Sequence, residues 1–135
     1  MYTVYTDGGA RGNPGPAGAG AAIFDTDMKL VGEVSEFLGA QTNNWAEYEA
    51  IVLGLEKLLD ISGGNVEVVV RLDSQLAQRQ LTGEYKVKDA ELYKQYLKVQ
   101  NLLPKFTKVS FEHVRREQNK EADALANKAM DRGAE

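Results

Sequence analysis

The chain has 135 residues, 43% of them apolar and 27% charged, with a net charge of −4, one histidine and no cysteine. That length suits a single domain over 1–135 with a real core, and the composition excludes a disordered tail or a fibre. Lack of cysteine excludes disulfides, thiolate zinc sites and thiol catalysis, and a lone histidine excludes a His cluster, so any metal is expected on oxygen ligands, as Mg²⁺, Mn²⁺ or Ca²⁺.

Tyr2, Val4 and Thr6 alternate with Thr3 and Tyr5, which predicts a strand over 2–6 ending at Asp7. The run Gly8-Gly9-Ala10-Arg11-Gly12-Asn13-Pro14-Gly15-Pro16 reads as a loop. A second strand is expected at about 20–26, with Asp25-Thr26-Asp27 turning into a third near 30–38. From Asn44 the period becomes helical through Trp45, Tyr48, Val52, Leu55 and Leu59, with Asn43 or Asn44 as the N-cap. Gly63-Gly64-Asn65 closes that helix, and 66–72 reads as a buried strand. A helix should start at Asp73 or Ser74 and end near Gly83, and another should span 89–103 and stop before Pro104. Residues 109–115 read as a fifth strand and 121–130 as a last helix, with Gly133 beyond its end. The order βββαβααβα predicts an α/β fold: one five-stranded mixed sheet with helices on both faces, joined by hairpins and then right-handed crossovers. No apolar run reaches the roughly 18–20 residues of a membrane span, and a strand pattern from Tyr2 leaves no room for a targeting peptide. The expectation is a cytoplasmic monomer with no membrane partner.

Charge is unevenly spread. Residues 1–70 hold three basic and ten acidic side chains, residues 71–120 eleven and six, and residues 121–135 two and four. The middle segment is thus basic inside an acidic protein, which suits a phosphate-facing stripe and equally suits a solvated helix face. The glycine-rich run leads into a strand, not a helix, and no Gly-Lys-Ser/Thr follows, so neither a dinucleotide fold nor a P-loop is present.

Four carboxylates occupy places that need explaining: Asp7 and Asp73 at strand ends, Glu47 in the first turns of the long helix, and Asp123 in the last helix. Strand C-termini and adjoining helix starts form the usual ligand crevice. Each has an ordinary reading alone, as turn residue, helix-end charge, N-cap or solvated acid.

Their neighbours are specific. Thr6-Asp7-Gly8-Gly9 followed by Gly12-Asn13-Pro14-Gly15-Pro16-Ala17-Gly18 resembles the opening of the type 1 ribonuclease H family. Thr42-Asn43-Asn44-Trp45-Ala46-Glu47 is similar to its second motif and Asp73-Ser74-Gln75 to its third. Asn119-Lys120-Glu121-Ala122-Asp123-Ala124-Leu125-Ala126 is similar to its fourth, and the likeness spans nearly the whole chain. The expected element order is also that of the ribonuclease H fold. The resemblance implies that Asp7, Glu47, Asp73 and Asp123 bind two Mg²⁺ or Mn²⁺ ions. It implies an endonuclease that cuts the RNA strand of RNA-DNA hybrids and leaves 3′-hydroxyl and 5′-phosphate ends. It further implies substrate contacts from Asn13, Thr42, Asn43, Asn44 and Gln75. Amides and hydroxyls suit that task because a 2′-OH both donates and accepts. The physics agrees, since two hard cations about 3.5–4 Å apart can activate water and hold a leaving oxygen.

The family's departures matter too. Many bacterial members place a catalytic His before the last helix, and an ungapped count puts His113 there. Yet His113 shares the alternate face of Val109 and Phe111 and reads as a structural strand residue. His-Val-x-Arg-Glu-x-Asn resembles a compact archaeal and bacterial branch in which an Arg, here Arg116, takes the catalytic place. A guanidinium does not give up its proton near neutrality, so Arg116 is expected to hold phosphate or Asp123. The basic protrusion of several relatives is missing, and Lys86, Lys88, Lys94 and Lys98 form a thinner substitute, so a shallow salt slope is expected. Glu49 is excluded as a ligand because two helical steps turn it about 200° from Glu47. The compact branch also implies double-stranded RNA and RNA-DNA junctions as further substrates. Outside that reading stand a silent hybrid-binding module and an integrase-like or transposase-like enzyme. The intact carboxylates argue against the first; the Asp-Ser-Gln and the Asn-rich second motif argue against the second.

Overall fold

The N-terminal alternation produces a longer strand than its apolar pattern suggests. In the computed structural model, which describes residues 1–133, β1 runs Tyr2–Ala10 and β2 runs Gly15–Phe24. Gly8 pairs with Ala19, Gly9 with Gly18 and Ala10 with Ala17, so most of the expected loop is sheet. Packing explains the difference. A Cβ on Gly8 would collide with the Ala46 carbonyl oxygen, and one on Gly20 with that of Ala122. These glycines let helices press backbone to backbone against the sheet, and only residues 11–14 turn. The next hairpin is as expected: Asp25 Oδ1 accepts the Asp27 and Lys29 N–H groups at 2.9 and 3.0 Å, leading into β3, Leu30–Gln41.

Helix α1 spans Asn43–Ser62, and its N-cap is Thr42, whose hydroxyl accepts the Trp45 N–H at 3.2 Å. The expected caps, Asn43 and Asn44, lie inside the first turn. Asn43 is engaged elsewhere: its Oδ1 accepts the Ala10 N–H at 2.8 Å, and its N–H donates to Asn13 Oδ1 at 3.0 Å. The apolar stripe Tyr48, Ile51, Leu55 and Leu58 is fully buried. Burying one such side chain contributes roughly 1.5–3 kcal/mol, against about 1 for a cap, so this stripe dominates the helix's anchorage. Gly63, at φ 79°, ends the helix.

β4 is Glu67–Leu72, with Val68 and Val70 fully buried. α2, Gln75–Leu81, is capped by Ser74, and α3, Ala90–Leu102, by Asp89. A short 3-10 turn over Leu103–Lys105 precedes β5, Lys108–His113, which stops two residues before the expected end. A second such turn, Arg116–Gln118, leads to α4, Lys120–Gly133, which includes the glycine expected beyond it.

The strands lie in the order β3-β2-β1-β4-β5, antiparallel through β3, β2 and β1 and parallel from β1 to β5. Helix α1 packs on β1 and β2, with α3 against it. On the other face α4 packs on β2, β3 and β1. No helix among the described residues is long and apolar enough to cross a membrane.

Candidate active site

Register places the first two carboxylates. The parallel ladder between β1 and β4 ends at Thr6 and Leu72, so Asp7 and Asp73 emerge side by side one residue later. Glu47 joins them because Gly8, which has no Cβ, lets the first turns of α1 close onto the sheet. Asp7, Glu47 and Asp73 each present an oxygen within 4.8 Å of the others.

Asp123 stands outside that tight set and meets it from α4. It lies close enough to Asp7 to raise that residue's affinity for a proton. Arg116 Nη2 lies 3.8 Å from Asp123 Oδ1. Asn119, fully buried, ties the start of α4 to β1 by donating from Nδ2 to the Thr6 carbonyl at 2.9 Å. Asn127 lies one turn beyond Asp123 and donates to its carbonyl at 3.0 Å.

Burial and neighbouring charge raise the affinity of Asp7 and Glu47 for protons. Burial first, then the Asp73 charge, then the Asp123 hydrogen bond push Asp7 from 3.8 up to about 8. Glu47 is pushed well above its ordinary value by burial and then by the Asp7 charge. One Glu47 oxygen, Oε2, is buried without a hydrogen-bond partner. Among the described residues, no Lys or Arg forms an ion pair with Asp7, Glu47 or Asp73. Convergent hard oxygens, one of them unsatisfied, fit a divalent cation such as Mg²⁺ or Mn²⁺.

The remaining expected residues divide. Asn43 lines the carboxylate cleft together with His113, Arg115, Arg116 and Asp123. Asn13, Thr42 and Asn44 line a neighbouring hollow beside Trp45 and Asp89. Gln75, exposed at the first position of α2, lines neither. His113 is a strand residue, the last of β5 and opposite Leu72, and its side chain is exposed at the edge of the cleft. Its strand stops there, so alternation no longer dictates burial. Glu49 is excluded as expected, since it accepts from Gln95 Nε2 at 3.0 Å in the α1–α3 interface. Sequence reasoning missed Arg11, Arg115, Asn119 and Asn127. The four-residue spacings from Asn119 to Asp123 and from Asp123 to Asn127 are the signals that could have revealed the two asparagines.

Fold and site together define an α/β protein with an acidic, oxygen-donor cleft at the strand ends. A family model described as reverse transcriptase-like matches residues 5–129. Bifunctional protein Rv2228c of Mycobacterium tuberculosis is 41% identical over 133 residues, 98% of this chain and 36% of that protein. Ribonuclease HI of Halobacterium salinarum is 42% identical over 128 residues, 95% of this chain and 63% of that protein. The chain therefore spans about a third to two thirds of the length of these relatives. A solved structure of LC11-RNase H1 in complex with RNA/DNA hybrid superposes with a TM-score of 0.95 at 41% identity, covering 100% of both chains. The chain belongs to the ribonuclease H family.

Proposed function

We propose that the protein is an endoribonuclease that hydrolyses the RNA strand of RNA-DNA hybrids with two divalent cations, Mg²⁺ or Mn²⁺, leaving 3′-hydroxyl and 5′-phosphate ends. The observation that carries this reading is the convergence of Asp7, Glu47 and Asp73, from three separate motifs, to within 4.8 Å. The family membership and the hybrid held by LC11-RNase H1 support the substrate.

Asp7, Glu47 and Asp73 would hold the cations, with Asp123 completing the set from α4. When bound, the cations supply an activated water and charge stabilisation for the leaving 3′-oxygen. Arg116, always charged and 3.8 Å from Asp123, is placed to hold that carboxylate or the phosphate. Asn43 in the cleft and Asn13, Thr42 and Asn44 beside it offer amides and a hydroxyl to phosphates, sugars and base edges. Gln75, two residues past Asp73 at the start of α2, takes a peripheral contact.

Cleavage of one labelled 20–30-mer as RNA-DNA hybrid, double-stranded RNA and double-stranded DNA, with Mg²⁺, Mn²⁺ or chelator, tests the proposal. Metal-dependent cutting of the hybrid's RNA strand, lost in Asp73→Asn, is the expected result. Hybrid binding without cutting by folded wild type would reject it in favour of a silent module.

A further inference from the structure

Any phosphodiester entering this cleft approaches four carboxylates, so basic groups on both rims matter. On the β5 side Arg115 lies 3.8 Å from Glu117, and Arg116 lies 3.8 Å from Asp123 on α4. On the β2 side, among the described residues lining the cleft, the only cation is Arg11. Sheet order places these rims on opposite sides of the β1–β4 seam from which Asp7 and Asp73 emerge. A strand crossing the seam passes between them.

Arg11 has a fixed backbone and a weakly held head. Its N–H donates to the Pro16 carbonyl at 2.9 Å, which anchors the turn. Its Nη2 meets Asp131 Oδ1 at 2.6 Å, but the two side chains are 45% and 66% exposed. Exposed pairs of this kind are marginal. Asp131 also lies in the last turn of α4, where the helix's carbonyl ends disfavour a carboxylate. A phosphate accepts a guanidinium through two parallel hydrogen bonds and competes well against such a partner.

We propose that Arg11 is a substrate-backbone contact, and that its guanidinium passes from Asp131 to a phosphate flanking the cut site when the hybrid binds. The inference rests on the hybrid-cleaving reading above and adds a residue pair to it. Asp131 acts as a competitor for Arg11, which separates this role from simple loop clamping. A clamp makes both partners equally necessary; a competitor gives them opposite signs.

Steady-state cleavage of a hybrid 20-mer in Mg²⁺, with wild type, Arg11→Ala, Arg11→Lys, Asp131→Asn and the double variant, decides between them. Arg11→Ala should raise KM about tenfold with kcat nearly unchanged, the loss of one charge-assisted hydrogen bond. The dependence of log kcat/KM on log salt should flatten by about 0.9, one phosphate contact. Arg11→Lys should recover part of the loss and all of the salt slope. Asp131→Asn should lower KM, and the double variant should match Arg11→Ala. Equal rises in KM for Arg11→Ala and Asp131→Asn, or an unchanged salt slope in Arg11→Ala, would overturn the proposal while leaving the enzyme assignment intact. Wild type that cuts no hybrid would instead remove the reading on which both stand.

Discussion

Replacing Asp7 by Asn should stabilise the metal-free protein. Asp7, Glu47 and Asp73 bring their oxygens within 4.8 Å, and two unit charges at that separation repel by roughly 3 kcal/mol at an effective dielectric of about 20. Burial and the neighbouring charges together push Asp7 from 3.8 up to about 8. At about 1.4 kcal/mol per pKa unit, the full shift amounts to ~6 kcal/mol. Side-chain movement and counterions relieve part of this, so a gain of about 2 kcal/mol is expected, or roughly 5–10 °C in Tm. The sign follows from linkage. Between pH 3.8 and about 8 the native state holds a proton that the unfolded state has released, so wild-type stability falls as pH rises through that window. The advantage of Asp7→Asn should therefore be small near pH 4, grow steadily, and level off above pH 8. Thermal melts in chelator from pH 4 to 9 measure it directly. An Asp7→Asn protein that melts at or below wild type at pH 8 would refute the electrostatic account of the cluster.

The other expectations follow from the same geometry. Saturating Mg²⁺ or Mn²⁺ should reverse the order, raising wild type by about 2.7 kcal/mol at a hundredfold excess over Kd and raising Asp7→Asn much less, as read by melting. Arg116→Ala should lower kcat about tenfold by releasing Asp123, while His113→Ala should stay within about twofold; a larger loss for His113→Ala would move the role to the histidine. Gly8→Ala should cost about 3 kcal/mol in urea unfolding, because its Cβ meets the Ala46 carbonyl and pushes Glu47 off the sheet end. Thr42→Ala should cost about 1 kcal/mol in the same measurement through loss of the α1 cap, and Asn44→Ala should not.

Much of this protein was legible in its sequence, because local period and motif spacing are local physics. Two-residue alternation placed β1, helical spacing from Trp45 to Leu59 placed α1, and the acidic residues stood out where a strand or helix does not need them. What is local ends there. The run Gly8–Pro16 reads as loop because a glycine tolerated in a turn and a glycine demanded by a helix pressing on a strand look alike until both backbones are in place. The cap at Thr42, not Asn43, was decided by Asn43's distant partners, Ala10 and Asn13. His113 faces the cleft because β5 ends at it, a boundary set by pairing with Leu72. Asp131 and Arg11 meet across 120 residues, which no spacing rule could show. Local spacing and residue chemistry dictate which elements form and which acids are available. Tertiary structure decided which oxygens converge and where their protons sit, because repulsion and burial depend on ångström separations that only the assembled sheet sets.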